Sequence, residues 1–191
     1  MAADWSLAAG TLAVEPAPDR PDLLADPVRD AVTAFPPAEA PLVGVAEIDP
    51  DFADTAAFCA RYGSPPALSA NCVIVAGKRG GEVRHAACLV PATARADVNG
   101  VVKRRLDVRK ASFAAMDEAV RLTSMEYGGI TPFGLPAQWP VLLDPAVAIA
   151  PALVVGSGLR RSKIIVSGAL LSGLPAAEVL DGLGRAVPTD T

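Results

Sequence analysis

Apolar positions change period several times along this chain, and each change marks an element. From Asp26 onward Val28, Ala31, Val32 and Phe35 recur at i, i+3, i+4, i+7, one face of a helix. Asp26 reads as its N-cap and Pro27 as its first residue, where proline's missing N–H is not needed, and Pro36-Pro37 stops it. Leu42 to Ile48 predicts a strand, after which Asp54 can cap a helix through Phe58 and Tyr62 that closes at Gly63. Cys72 to Ala76 and Val83 to Val90 are β-rich runs around Lys78-Arg79-Gly80-Gly81, whose paired glycines suit a hairpin loop. Asp97 begins a helix through Val98, Val101 and Val102, and Asp117 lies at or inside another that carries Met116, Val120 and Leu122. Val141 to Leu143, Leu153 to Gly156 and Lys163 to Val166 are three further strands, followed by a closing helix near Ala169 to Leu174. Runs of strands broken by short helices predict an α+β domain rather than a regular βαβ fold.

Composition narrows the class. A length of 191 residues, 51% hydrophobic and 20% charged, fits one globular domain with ample core material. The expected division is an N-terminal Pro/Ala/Asp-rich segment over 1–40, a domain over 41–185 and a tail over 186–191. The uncharged stretch from Pro145 to Leu159 is interrupted by Pro151 and is shorter than the ~20 residues a membrane helix needs. No Lys or Arg precedes Arg20 and Asp4 breaks the early apolar run, so no secretory signal and a cytoplasmic location are expected. Cys59, Cys72 and Cys88 have no CxxC spacing, and His85 is the only histidine. Buried, reduced thiols and no metal or other cofactor are therefore expected.

Charge is divided along the chain. Residues 1–57 hold eleven acids and two bases, a balance of −9, so with a net −4 the remainder carries +5. Its bases gather as Lys103-Arg104-Arg105 with Arg109-Lys110, and as Arg160-Arg161 with Lys163. These clusters read either as solvated faces or as contacts for a phosphate backbone, which depends on local rather than total charge.

The segment Tyr127-Gly128-Gly129-Ile130-Thr131-Pro132-Phe133-Gly134-Leu135-Pro136 carries three glycines and two prolines, so it is a loop of fixed shape with accessible backbone amides. By composition alone it serves equally as a connection or as a ligand-binding loop. Gly128 to Gly134 resembles the GxxxP loop of the YbaK/prolyl-tRNA-editing domains. Four other segments are similar to that family in order and spacing: Ala86 to Ala92 with Asp97, Lys110-Ala111-Ser112 before Asp117, Pro140 to Asp144, and Val155-Gly156-Ser157-Gly158 before Lys163. The resemblance covers about residues 45–182. It implies a single domain with a mixed, largely antiparallel, curled sheet surrounded by helices, and a pocket beside the glycine loop.

The implied activity is trans-acting hydrolysis of mischarged aminoacyl-tRNA, of the Cys/Ala-tRNA(Pro) editing type. The implied partners are the acceptor end of mischarged tRNA and, as a further candidate, an aminoacyl-tRNA synthetase, with no membrane and no DNA. The substrate ester is already activated, so orientation and oxyanion stabilisation by loop amides suffice without a Ser-His-Asp set, and His85 reads as structural. Gly128 and Asn71 carry over as the catalytic positions, with Gly129, Ile130, Thr131, Pro132, Gly156, Ser157, Gly158 and Lys163 as substrate-binding positions. At Asn71 the chain departs from the family, which usually has a lysine there; a neutral donor replaces a charged one, and charge-assisted contacts are roughly twice as strong. Lys163 and Lys78 are the candidate replacements. A non-catalytic module binding tRNA, a nucleotide or a synthetase remains the alternative.

Overall fold

The computed structural model describes residues 4–187; the last four positions of the expected C-terminal tail lie outside them. The first half of the chain runs α1 (Ser6–Ala9), β1 (Glu15–Pro16), α2 (Asp26–Thr33), β2 (Gly44–Glu47), α3 (Thr55–Tyr62), β3 (Ala70–Arg79), β4 (Glu82–Pro91) and β5 (Ala94–Ala96). It continues through α4 (Lys103–Arg105), β6 (Lys110–Phe113), α5 (Met116–Thr123), β7 (Val141–Leu143), α6 (Pro145–Ala148) and β8 (Leu153–Gly156). The last elements are β9 (Ser162–Val166), α7 (Gly168–Ser172), β10 (Ala177–Val179) and β11 (Gly184–Ala186). The domain is α+β, as its pattern predicts.

The strands form an antiparallel sheet in the order β1-β2-β9-β8, a mixed sheet in the order β10-β7-β4-β3-β6, and a two-stranded pair of β11 with β5. Within the mixed sheet β4-β3-β6 are antiparallel while β10-β7 and β7-β4 are parallel. A single parallel bridge, Ser69 to Val154, joins the two larger sheets. Beyond it β3 and β8 separate, and the expected curled sheet is thus two sheets hinged at one point.

The β3–β4 hairpin sets the register of the mixed sheet. Pairing runs from Ala70 with Pro91 to Arg79 with Glu82, leaving Gly80-Gly81 as a two-residue turn. Both glycines have positive φ, 58° and 85°, which the turn's match to strand twist demands. Alternation then sorts β4. Ala86, Cys88 and Val90 face Val98, Val102 and Leu106, while Leu89 faces the central core with Leu143, Phe133 and Val166. All five residues of β9 are buried, because helices cover both faces of its sheet: Ile164 and Val166 enter the central core, and Ile165 packs with Phe58 of α3. Residues before position 41 join the same core through Ala17, Leu23, Leu24, Val28 and Val32.

Several local expectations shift. Ala25 occupies the N-cap position of α2 and Asp26 is already helical, since the Ala25 N–H donates to Ser157 O and ties the chain there. The helix expected after Asp97 is a wider π turn over Val98–Val102, started by the Asp97 carboxylate accepting from the N–H groups of Gly100 and Val101. The closing helix begins at Gly168 with Ser167 as its cap. Strands β1, β5, β10 and β11 have two or three residues each, too few to show a period in sequence.

The glycine loop docks on the β8–β9 turn. Gly158 N–H donates to Gly129 O at 2.7 Å and Glu126 N–H to Gly158 O at 2.8 Å. Arg160 clamps the same loop from outside, its guanidinium donating to Tyr127 O and Pro50 O. A Cβ on Gly156 would fall 2.2 Å from Gly129 O and 2.6 Å from Ile130 O, both backbone atoms. At Gly128, where φ is +81°, a Cβ would crowd the tip of Arg160 at 2.6 Å but no backbone atom. Gly156→Ala is therefore expected to cost about 1–3 kcal/mol through forced backbone displacement, and Gly128→Ala about 1–2 kcal/mol from the left-handed backbone. Denaturant unfolding of both variants measures this order, and a costlier Gly128→Ala would refute the docking geometry.

Candidate functional site

Where β3 and β8 part, the gap is closed on one side by α3 and on the other by the glycine loop, leaving a cavity of about 460 Å³. Its walls include Asn71 and Cys72 of β3, Gly128 and Ile130 of the loop, Gly156 of β8 and Lys163 of β9. Thus Asn71, Gly128, Ile130, Gly156 and Lys163, distant in sequence, share one space. The N–H groups of Gly128 and Ile130, two residues of the cavity wall, have no acceptor among the described residues.

Lys163 lies on the face of β9 that it shares with Ile165, beneath α3 rather than out with the turn arginines. Only 7% of it is exposed. Its Nζ donates to Ala53 O at 2.7 Å and sits 5.5 Å from the centre of the Phe58 ring. Burial is the main cause that pulls its pKa down to about 8, and the nearby Arg160 charge adds to this, while Asp54 and Cys59 oppose it. Asn71 Oδ1 accepts from Thr55 Oγ1 at 2.7 Å, which orients the amide and leaves its NH₂ group without an acceptor among the described residues.

The other sequence-derived positions lie behind this wall. Gly129 packs against the backbone of Gly158 and Leu159; Thr131 and Pro132 are buried, and Thr131 Oγ1 has no hydrogen-bond partner among the described residues. Ser157 is fully buried, its hydroxyl bonded to Ser162 Oγ at 2.7 Å and to Ser162 O and Leu159 O. Gly158 packs on Ala25, Val28 and Met125. These five residues shape the loop and the turn without lining the cavity. Lys78 stands exposed beside the hairpin turn, away from it. His85 also lies elsewhere, stacked on Trp139 at 4.8 Å with Nε2 3.1 Å from Glu118.

A cysteine nucleophile is disfavoured at the cavity. Cys72 lines it, but burial pushes its thiol far up and keeps it protonated; Cys88 is pushed up to about 12 by the same cause. Among the described residues no group of His, Cys, Asp and Glu is arranged to hold a metal ion, and no helix is long and apolar enough to cross a membrane.

Asp54 and Thr55 are cavity residues that sequence reasoning missed. Asp54 reads as a helix cap and does occupy the N-cap position of α3, yet its side chain makes no capping bond. The carboxylate instead lies opposite Gly128, 3.9 Å from where a Cβ there would stand. Only the fold reveals this, because a capping and a non-capping aspartate look alike in sequence.

Lys163 makes stability depend on pH in a definite direction. The folded chain releases its proton near pH 8 and the unfolded chain near 10.5, so between these values the unfolded state holds more protons and stability rises with pH. Below pH 8 the full burial penalty applies. Relative to Lys163→Met, the wild type should gain on the order of 3 kcal/mol between pH 7 and 10.5. Urea unfolding of both proteins across that range tests this; a constant difference would mean that the ammonium is not desolvated.

Comparison with known proteins agrees with this architecture. No curated protein matches the chain. Among solved structures, a protein proposed to be a trans-editing enzyme for prolyl-tRNA synthetase superposes with a TM-score of 0.70 at 21% identity, over 85% of this chain and 97% of the other. A scaffold protein used for presenting grafted linear epitopes gives 0.68 at 22% identity, over 85% and 97%. A hypothetical protein gives 0.64 at 20% identity, over 74% and 90%. These likenesses establish the shared fold. The family model for the aminoacyl-tRNA editing domain matches residues 49–173, a span that contains Asn71, the glycine loop and Lys163. The chain is therefore a member of the aminoacyl-tRNA editing domain family.

Proposed function

We propose that the chain hydrolyses mischarged aminoacyl-tRNA in trans, with a small amino acid of the Cys/Ala-tRNA(Pro) type as the group removed. The observation that carries this reading is the convergence of free loop amides, Asn71 and the buried Lys163 on one cavity. Water attacks the ester carbonyl, and the negative charge that develops on its oxygen is met by the Gly128 and Ile130 N–H groups and the Lys163 ammonium. The bond to the ribose oxygen then breaks, the neighbouring ribose hydroxyl taking the attacking water's proton as it hands its own to the leaving oxygen, so that the products are the free amino acid and a tRNA with both ribose hydroxyls restored. Preorganised donors aimed at developing charge typically carry the largest share of such catalysis. Asp54, across from Gly128, pairs with the α-ammonium that every aminoacyl ester carries. In this reading the family's cation has moved from β3 to β9, and Asn71 supplies a neutral hydrogen bond where the lysine stood.

The test is turnover of tRNAs charged with Ala, Ser, Cys, Thr and Pro. Release of a small amino acid is expected. Lys163→Met should reduce kcat/KM by about tenfold or more, as loss of a charged hydrogen bond of ~1.5–3 kcal/mol requires. Asn71→Ala should cost only about 0.5–1.5 kcal/mol, and Asn71→Lys should keep or raise activity. No turnover by the wild type or Asn71→Lys on any substrate, with the fold intact, would replace the hydrolase with a non-catalytic tRNA-, nucleotide- or synthetase-binding module.

The edge strand β6 supports a polyanionic partner. Lys110 pairs directly with Lys78 of β3, a like-charge arrangement that is unfavourable unless something negative covers it. Among the described residues neither lysine, nor Arg104 or Arg109, has a carboxylate within salt-bridge distance. Lys78→Ala combined with Lys110→Ala should weaken tRNA binding and lower the slope of log affinity against log salt by about 2. An unchanged slope would exclude this strand from the RNA contact.

A further inference from the structure

Three large apolar side chains crowd the mouth of the cavity and stay in water. Phe113 at the end of β6 is 57% exposed, Met116 at the start of α5 57%, and Tyr127 on the glycine loop 58%; all three line the same cavity. They come from three elements, so no single amphipathic pattern accounts for their exposure. Neither aromatic ring is used inside the protein: the ring pairs among the described residues are Phe35 with Phe133, Phe58 with Tyr62, and His85 with Trp139. Their backbones are nevertheless fixed. Tyr127 O is held by Arg160 at 3.2 Å, and Ala114, next to Phe113, donates to Ile74 O at 2.8 Å.

We propose that Phe113, Met116 and Tyr127 form a stacking platform for the terminal nucleobase of the substrate. The inference rests on the aminoacyl-ester reading of the cavity. An acyl group at the level of Lys163 is joined through one ribose to its base, so the base must lie at the mouth, where these three side chains are. Aromatic faces suit this occupant because stacking needs a π surface and no base-specific hydrogen bond, and a thioether packs well against a flat ring. The charge around the mouth agrees, since the Arg160 guanidinium lies beside Gly128 and favours the phosphate that accompanies a nucleotide. The residues border a concave opening rather than a flat face, which argues against a second copy of the chain as the occupant.

Binding of adenosine 5′-monophosphate and of ribose 5-phosphate, measured by calorimetry, separates the base from the rest of the nucleotide. The wild type should bind the nucleotide at least about fivefold more tightly than the sugar phosphate. Phe113→Ala and Tyr127→Ala should each remove about fivefold or more of the nucleotide affinity and leave the sugar phosphate unchanged. Tyr127→Phe, which keeps the ring, should bind as the wild type does. All three positions are exposed, so folding should be intact, and thermal melting checks it. Equal binding of the two ligands, no binding of the nucleotide, or alanine variants that bind it normally would each overturn the platform. So would variants that change only the sedimentation of the protein, which would mark the rim as a self-association surface. Ring-dependent nucleotide binding without turnover of any aminoacyl-tRNA would uphold the platform and remove the hydrolase reading, so the two can fail separately.

Discussion

The docking of the glycine loop against the β8–β9 turn is the contact on which the candidate site depends. Strands β3 and β8 touch through one bridge, Ser69 to Val154, and then diverge, which leaves unpaired backbone and an open gap. The loop enters that gap because Gly156 has no side chain to resist it and because Gly158 N–H finds Gly129 O. With the loop seated, Gly128 and Ile130, whose amides have no acceptor among the described residues, line the cavity. A preorganised donor costs little reorganisation when charge develops beside it, whereas a mobile loop would lose that advantage to entropy. The interior hydroxyl network of Ser157 and Ser162, which reaches Leu23 O, holds the turn from behind and links it to the N-terminal segment.

Electrostatics in the cavity follow from which face of β9 each residue takes. Arg160 and Arg161 belong to the turn and stay near water, but Lys163 alternates into the face covered by α3. Its single bond to Ala53 O and its position over Phe58 do not replace full hydration, so its charged form is disfavoured there. Such groups are costly to the fold, and a buried, perturbed lysine in a cleft is a marker of function with a physical reason behind it. The cavity wall thus holds one buried cation, Lys163, together with the carboxylate of Asp54 and the neutral amide of Asn71.

Acidic and basic segments occupy different parts of the molecule. Much of the acid lies in residues that wrap the antiparallel sheet, and Arg20 is absorbed by Glu15 and Asp22. The unpaired bases collect along β6 and the segment before it. A chain with net negative charge can therefore still offer a polyanion a local positive strip, since screening limits the reach of the distant acids to about 8–10 Å.

Sequence alone determined the main elements and the loop. The β3–β4 hairpin, α3 ending at Gly63, and the strands at Val141–Leu143 and Leu153–Gly156 are legible because period, turn glycines and caps are local properties read within a few residues. The glycine-rich loop of residues 127–136 was legible for the same reason, since its glycines and prolines lie within ten positions. What sequence could not determine was assembly: that one sheet would split into two at Ser69 and Val154, that Ser157 and Gly158 would support the wall rather than form it, that Asp54 would leave its helix uncapped, and that Lys163 would be buried. Each depends on contacts between residues far apart in the chain, such as the 110 positions between Ala53 and Lys163. Local pattern fixes which face a side chain takes, while only tertiary packing decides what covers that face, and it is the cover that makes a lysine buried, an aspartate available and a tyrosine exposed.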